Sequence, residues 1–352
     1  ELNEAILGPI GLKTVDNTLL DRSFMIYRPD TNSMISPKYI ACLSLIKVEK
    51  ILGKNKILLK INPDKKFFGE NQLGSEEKFT ELDDFPELIL EPEYDHMYKN
   101  VNICGKPASV LDCGDGAAEW ITRFIGENDK DPNDRPDGQT TNSSQNQINY
   151  RIVHFDPENQ CIRDTAEIMA DRLSTINADL PSDINYLTPM TDIAAYTIVT
   201  QQSIDYVRNQ IENDTKNTKN GPLNAKAFRI NLIIDHSNKN SRFEEDKWDE
   251  VCFQDNENQN PNYLEQYNFI LKFYYKVQRC FFTTVEPRNG KHRPDNQPLI
   301  WLNKNRRIPD NEVAAYGGGV QNHFSNCYGQ KLGSVVQEKR IEVGMDVWAR
   351  MK

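Results

Sequence analysis

Histidine is scarce in this chain, cysteine is thinly scattered, and no long apolar run breaks the polar background. The five histidines, His96, His154, His236, His292 and His323, lie far apart, and none forms HExxH. A His/carboxylate metal site is therefore not expected. The seven cysteines, Cys42, Cys104, Cys113, Cys161, Cys252, Cys280 and Cys327, contain no CxxC pair. That excludes a zinc knuckle or a dithiol redox motif. An odd, dilute set in a chain of 352 residues suits a reducing compartment. Most of these thiols are expected to be small buried hydrophobes. No stretch approaches the ~18 apolar residues of a membrane-spanning helix, and Ile40 to Ile46 is far too short. Gly317-Gly318-Gly319 is not followed by GK[ST], and no GxSxG occurs, so neither a phosphate loop nor a nucleophile elbow is present.

What is there is enough for a core. Hydrophobic residues make up 38% and charged residues 27%, a balance that excludes wholesale disorder. At ~150 residues per domain the length predicts two domains or one large one. The net charge of −10 disfavours nonspecific binding to nucleic acid or to an anionic membrane. The chain as read begins at Glu1 rather than Met, so a start upstream is expected, and no signal-peptide pattern is visible.

The first hundred residues read as β. Ser23 to Arg28, Ala41 to Val48 and Lys56 to Ile61 are short β-rich runs between turn signals, and Leu88 to Leu90 and Val101 to Cys104 add two more. A helix is expected at Asp115–Ile125, with Asp115 as cap, Trp120, Ile121 and Phe124 as its apolar stripe, and Gly126 at its end. Glu127 to Asn149 is almost devoid of apolar residues and predicts an exposed excursion. Tyr150 to Phe155 and Tyr196 to Thr200 predict strands, the second feeding a helix at Ser203–Ile211. Beyond this, Phe228 to Ile234 and Tyr267 to Thr284 are strand-like, and Val335 to Trp348 suggests a closing hairpin. The fold class expected is α+β: an antiparallel β-barrel domain at residues 1–110, a helical and strand-bearing connection at 111–227 with the polar insertion 127–149, and a second β-barrel core at 228–352.

Two segments invite chemistry. Phe243 to Trp248 carries three carboxylates and reads as a solvated turn anchored by Phe243 and Trp248. In Val277 to Pro287, Cys280 follows Arg279, a neighbour that favours the thiolate, and two threonines come after. On residue chemistry alone, a buried inert thiol is the better reading of Cys280.

Five stretches in order change that reading. They are Leu20-Asp21-Arg22-Ser23-Phe24-Met25-Ile26; Ala117-Ala118-Glu119-Trp120-Ile121-Thr122-Arg123-Phe124; Tyr150-Arg151-Ile152-Val153-His154-Phe155-Asp156-Pro157; Phe228-Arg229-Ile230-Asn231-Leu232-Ile233-Ile234; and Arg279-Cys280 with Thr283-Thr284-Val285-Glu286-Pro287. Together they resemble the MOSC superfamily, in particular its amidoxime-reducing branch with a preceding β-barrel domain. The resemblance implies a molybdenum-molybdopterin cofactor held between two lobes. It implies that Cys280 gives a thiolate to the metal, which suits a soft ligand. Arg279 would favour that thiolate and meet the anionic dithiolene. Arg229 and Asn231 match positions that grip the cofactor. Arg22 matches an arginine near its phosphate, where a guanidinium fork suits the oxyanion. Asp192 matches an aspartate that precedes the Thr200 to Ile204 helix start. The resemblance further implies a mitochondrial oxidoreductase that reduces N-hydroxylated compounds with electrons from a cytochrome b5-type partner. Pyridoxal phosphate binding attaches only to the superfamily as a whole. If the cofactor is held, Cys280, Arg279, Arg229, Asn231 and Arg22 are expected to converge on one cleft, with irregular backbone at Gln278–Phe281.

The departures from the pattern are specific. A Lys-Ser pair expected toward the phosphate would fall upstream of Glu1. Gln278 stands where a small polar residue is usual, Ile193 where Thr is usual, and Ala195 near an expected proline; Phe324-Ser325-Asn326-Cys327-Tyr328 replaces a glycine-bearing segment. Two other readings stay open for this reason: an accessory subunit of a larger mitochondrial assembly that has lost the cofactor, and a sulfur carrier bearing a persulfide on Cys280.

Overall fold

The computed structural model describes residues 4–8, 11–15, 20–51, 56–61, 85–90, 96–103, 106–128, 149–155, 163–175, 178–188, 194–214, 221–254, 269–312, 322–330 and 338–352. Packing groups the chain into two compact units, each drawn from several stretches. One takes Glu1–Arg22, Ile162–Cys280 and Gln297–Lys352; the other takes Ser23–Cys161 and Phe281–Asn296. The sequence reading instead divides the chain into three consecutive pieces. Hydrophobic pattern reports local periodicity and carries no record of which distant strands share a sheet.

The Ser23–Cys161 unit is built on a closed barrel of strands Arg151–His154, Phe24–Arg28, Ser33–Ile35, Met97–Ile103 and Lys106–Asp112. All its pairings are antiparallel except Ser33 against Asn102. Strands Ile46–Ile51, Lys56–Ile61 and Leu88–Leu90 form a second, antiparallel sheet. Between the two lies the helix Asp115–Asn128, whose Ala117, Trp120, Ile121, Phe124 and Ile125 share a core with Leu43, Leu59, Phe85, Leu90 and Ile152. Each fully buried large apolar side chain here contributes about 1.5–3 kcal/mol. The Trp120 indole N–H donates to the Pro86 carbonyl at 2.6 Å, so its one polar atom is satisfied.

That helix runs past Gly126, which was expected to end it. A glycine lowers helix propensity by only ~1 kcal/mol, and the packed apolar stripe outweighs this. Glu127 and Asn128 are thus helical, not part of the predicted excursion. The rest of that excursion, 129–148, lies outside the described residues. In the same unit the two-stranded ribbon of Val285–Glu286 and Lys291–His292 turns at Gly290, whose φ is +65°. A Cβ there would stand 2.9 Å from the Cys42 backbone and the Leu45 side chain, so only glycine fits without displacement.

The other unit holds a six-stranded sheet in the order Leu232–Ile234, Tyr196–Thr200, Ser325–Gln330, Ile270–Val277, Trp248–Phe253, Val347–Met351. Only the first pair is parallel. A smaller sheet joins Gly11–Lys13, Glu4–Gly8 and Lys339–Glu342. Leu7, Tyr196, Ile198, Val251, Phe269 and Leu271 are wholly or almost wholly buried between such elements. These arrangements are α+β, as expected.

Three local expectations are corrected. Lys339–Glu342 and Val347–Met351 do not pair as a hairpin: the first joins Glu4–Gly8 and the second joins Trp248–Phe253. Ala41–Leu45 is a 3-10 turn, and the strand begins at Ile46. Phe228 to Ile234 is not one strand. Ala225–Phe228 is a 3-10 turn, Arg229 has φ 56°, and the strand begins at Leu232. Short apolar runs fit both conformations, and tertiary contacts decide between them. The helices Ala166–Ser174 and Leu299–Asn305 were not foreseen. Among the described residues no helix is long and apolar enough to cross a membrane.

The Phe243 to Trp248 segment is also not solvated throughout. Glu245 is fully buried and accepts hydrogen bonds from Thr200 Oγ1 (2.9 Å) and Ser203 Oγ (3.1 Å) at the start of the helix Gln201–Glu212. Burial is the largest influence on this carboxyl and raises its pKa. An acid raised in the folded state stabilises fully below its unfolded value of about 4.3, and this stabilisation is lost as pH rises through the folded value. Glu245→Gln is therefore expected to gain in thermal midpoint relative to the parent between about pH 5 and pH 8. A difference that does not change over this range would contradict the raised pKa.

Candidate functional site

Arg22, Arg229 and Asn231 come together in the unit that contains the six-stranded sheet. Arg22 ends the segment after the isolated Lys13–Leu20 bridge, and its backbone sits at φ 59°. Arg229 follows the Ala225–Phe228 turn at φ 56°. Among the described residues six non-glycines have positive φ, and three of these are asparagines. Asparagine tolerates that region, whereas an arginine there costs on the order of 1–2 kcal/mol. Such strain persists only where the surroundings over-determine it, and it concentrates at functional sites.

Side chains hold the two turns together. Arg22 Nη2 donates to the Arg229 carbonyl (3.4 Å) and to Asn231 Oδ1 (3.3 Å). Asn231 Oδ1 also accepts from Thr197 N (3.0 Å) and Thr197 Oγ1 (2.6 Å), and Thr197 Oγ1 accepts from Asn231 N (3.2 Å). Asn231 Nδ2 donates to Asp21 Oδ2. Arg22 Nε lies 3.6 Å from that carboxylate. Since Arg22 and Asp21 are both partly exposed, this ion pair by itself adds little stability.

A second group surrounds the Arg-Cys pair in the same unit. The strand Ile270–Val277 stops three residues before Cys280, and Gln278–Cys280 have no regular structure. A 3-10 turn starts at Phe281. The irregular backbone expected at Gln278–Phe281 is therefore present. Asn322 clamps this bend: its Oδ1 accepts from Arg279 N (3.2 Å) and its Nδ2 donates to the Arg279 carbonyl (3.0 Å) and to Asn303 Oδ1 (2.7 Å). Cys280 is exposed, while Cys42 and Cys252 are buried, and burial pushes the Cys252 thiol up to about 12. Cys280 thus differs from the inert core thiol that residue chemistry alone suggests. Among the described residues no three His, Cys, Asp or Glu side chains gather closely enough to hold a metal.

Asp192 lies outside the described residues. Asp21, Thr197 and Asn322 were missed as members of these groups. Asp21 stands inside the Leu20–Ile26 stretch, and its adjacency to Arg22 is the available signal. Thr197 and Asn322 gave none, since they meet their partners only through sheet pairing and chain reversal.

Nearby, Arg306, Asp246 and His323 form a partly buried polar cluster. Arg306 Nη2 donates to Asp246 Oδ2 (2.6 Å) and lies 2.8 Å from His323 Nε2, while its guanidinium covers the Phe243 ring at 3.9 Å. Burial by itself raises the Asp246 carboxyl, but the neighbouring His323 and the Arg306 charge carry it below its ordinary value.

The MOSC domain family model matches residues 188–348. Three curated relatives carry the name mitochondrial amidoxime-reducing component 1. The Homo sapiens protein is 27% identical over 209 residues, covering 58% of this chain and 44% of the relative. The Danio rerio protein is 25% identical over 179 residues, covering 51% and 38%. The Mus musculus protein is 23% identical over 230 residues, covering 65% and 51%. The chain thus spans about half the length, or less, of these relatives. Arg229, Asn231, Arg279 and Cys280 fall within the matched segment and Arg22 does not. Over residues 188–348, therefore, this chain is similar to the MOSC domain family.

Proposed function

We propose that this chain is a mitochondrial, molybdenum-cofactor-dependent oxidoreductase that reduces N-hydroxylated compounds, with electrons from a cytochrome b5-type donor. The observation that carries the reading is Cys280: an exposed thiol on irregular backbone three residues beyond a strand end, beside Arg279. A soft thiolate donor in that setting fits molybdenum. The strained pair Arg22 and Arg229 supplies the cationic side that a pterin phosphate needs. In this reading Cys280 would hold the metal, Arg279 would meet the anionic dithiolene, Arg22 and Arg229 would hold the anionic end, and Asp192 would be a further cofactor contact. The chemistry such a group supplies when bound is two-electron reduction of an N–OH group, whose oxygen leaves as water. The chain's own part is to orient the anion, present the exposed Cys280 sulfur and leave one side open to substrate.

The test is direct. Protein purified from cells that make the cofactor should contain close to one molybdenum per chain and should reduce an N-hydroxylated amidine when given a b5-type donor. Molybdenum without reductase activity would overturn the substrate assignment. No molybdenum at all would favour the accessory-subunit reading. The Asn231 amide supports that second reading, because three donors already occupy its oxygen. Sulfane sulfur on Cys280 in metal-free protein would favour the carrier.

A further inference from the structure

The family resemblance implies that Asn231 grips the cofactor, yet its side chain is largely occupied by protein. An amide oxygen has two lone pairs and the amide nitrogen two N–H groups. Here the oxygen meets Thr197 N, Thr197 Oγ1 and Arg22 Nη2, and one N–H is given to Asp21. The assignment of oxygen and nitrogen is forced, since Thr197 N and Arg22 can only donate and the Asp21 carboxylate accepts. Nη2 of Arg22 faces the Arg229 carbonyl and Asn231 Oδ1. That fixes the guanidinium plane and leaves the two Nη1 protons for an oxyanion.

We propose that Asp21 and Thr197 are positioning residues for an anion site at Arg22, acting through Asn231 rather than touching the ligand. The ligand class is a phosphate monoester or its free phosphate equivalent. The inference rests on the functional reading above and assigns it a supporting framework. Thr197, on the strand Tyr196–Thr200, sets the Asn231 oxygen; Asp21 sets its nitrogen; the oxygen sets Nη2 of Arg22. The contacts of Arg22 and Asp21 with Arg229 and Asn231 also tie the two left-handed turns to each other.

Charge and position predict opposite signs at Asp21, and this makes the idea testable. If Asp21 acted only as a nearby negative charge, its removal would strengthen anion binding. If it positions Arg22 through Asn231, its removal weakens binding. Inorganic phosphate would be titrated into the purified full chain and its binding followed by isothermal titration calorimetry, with thermal midpoints recorded alongside. Asp21→Ala is expected to weaken phosphate binding about tenfold, and Asp21→Asn, which keeps an acceptor, to stay within about threefold of wild type. Thr197→Val should weaken it similarly, and Thr197→Ser should restore it. Molybdenum content of protein from cofactor-making cells should follow the same order. Asp21→Ala binding as tightly as wild type or tighter, while Arg22→Ala loses phosphate, would overturn the positioning role and leave the functional reading intact. If wild type and Arg22→Ala respond alike, there is no anion site at Arg22, and both fall.

Discussion

Cys280→Ala is expected to abolish N-hydroxyl reduction and to lower molybdenum to background, with the thermal midpoint shifted by less than about 2 °C. The two halves of this result have separate causes. Cys280 is exposed and follows the end of a strand, so truncating it removes little packing and opens no cavity. The bend that presents it is held by Asn322 through the Arg279 backbone, and that clamp does not use the thiol. In the proposed function, however, that sulfur is the ligand the chain gives to molybdenum, so its removal is expected to release the metal. Metal analysis and a reductase assay on the same preparations decide the matter. Equal molybdenum in the parent and the variant would exclude Cys280 as the ligand. A large fall in midpoint would mean that the thiol is structural after all.

Phe228→Ala should behave in the opposite way. Its ring is fully buried and stacks on Phe324 with centroids 4.3 Å apart, inside a core with Val199, Ile204, Val207, Ile211 and Leu302. Removing a ring from such a site costs about 3–5 kcal/mol, from lost transfer energy and from the cavity left behind. The midpoint should fall by on the order of 10 °C. Phe228→Leu should lose roughly 1–1.5 kcal/mol, since volume is largely kept. Function is affected as well, because Phe228 is the last residue of the turn that aims Arg229. Phosphate binding at Arg22 should weaken even at temperatures where the variant is folded. A loss below about 1 kcal/mol in denaturant unfolding would show that the stack is not part of the cooperative core.

Where periodicity and caps agreed with packing, the sequence was a sufficient guide. Trp120, Ile121 and Phe124 marked the helix at Asp115, and Thr200 begins the next helix, where its hydroxyl accepts from Ser203 N. The strands Lys56–Ile61, Leu88–Leu90 and Tyr196–Thr200 lie where β-rich runs between turn signals placed them. The Arg-Cys pair and the Leu-Asp-Arg motif were also legible, because residue identity at fixed spacing is a local property.

Partnership was not legible. Val347–Met351 lies against Trp248–Phe253 rather than Lys339–Glu342, and nothing local distinguishes these pairings, since any two amphipathic strands offer the same backbone ladder. Glu245 sits among acidic neighbours that suggest a solvated turn, and only the approach of Thr200 and Ser203 buries it. Asn231 has the same composition whether it touches a cofactor or a threonine 34 residues away. The sequence by itself determined which residue types could carry chemistry, and the α+β class. The tertiary structure decided which of them are occupied by one another, because hydrogen-bond capacity is finite and is spent on whatever the fold brings within about 3 Å.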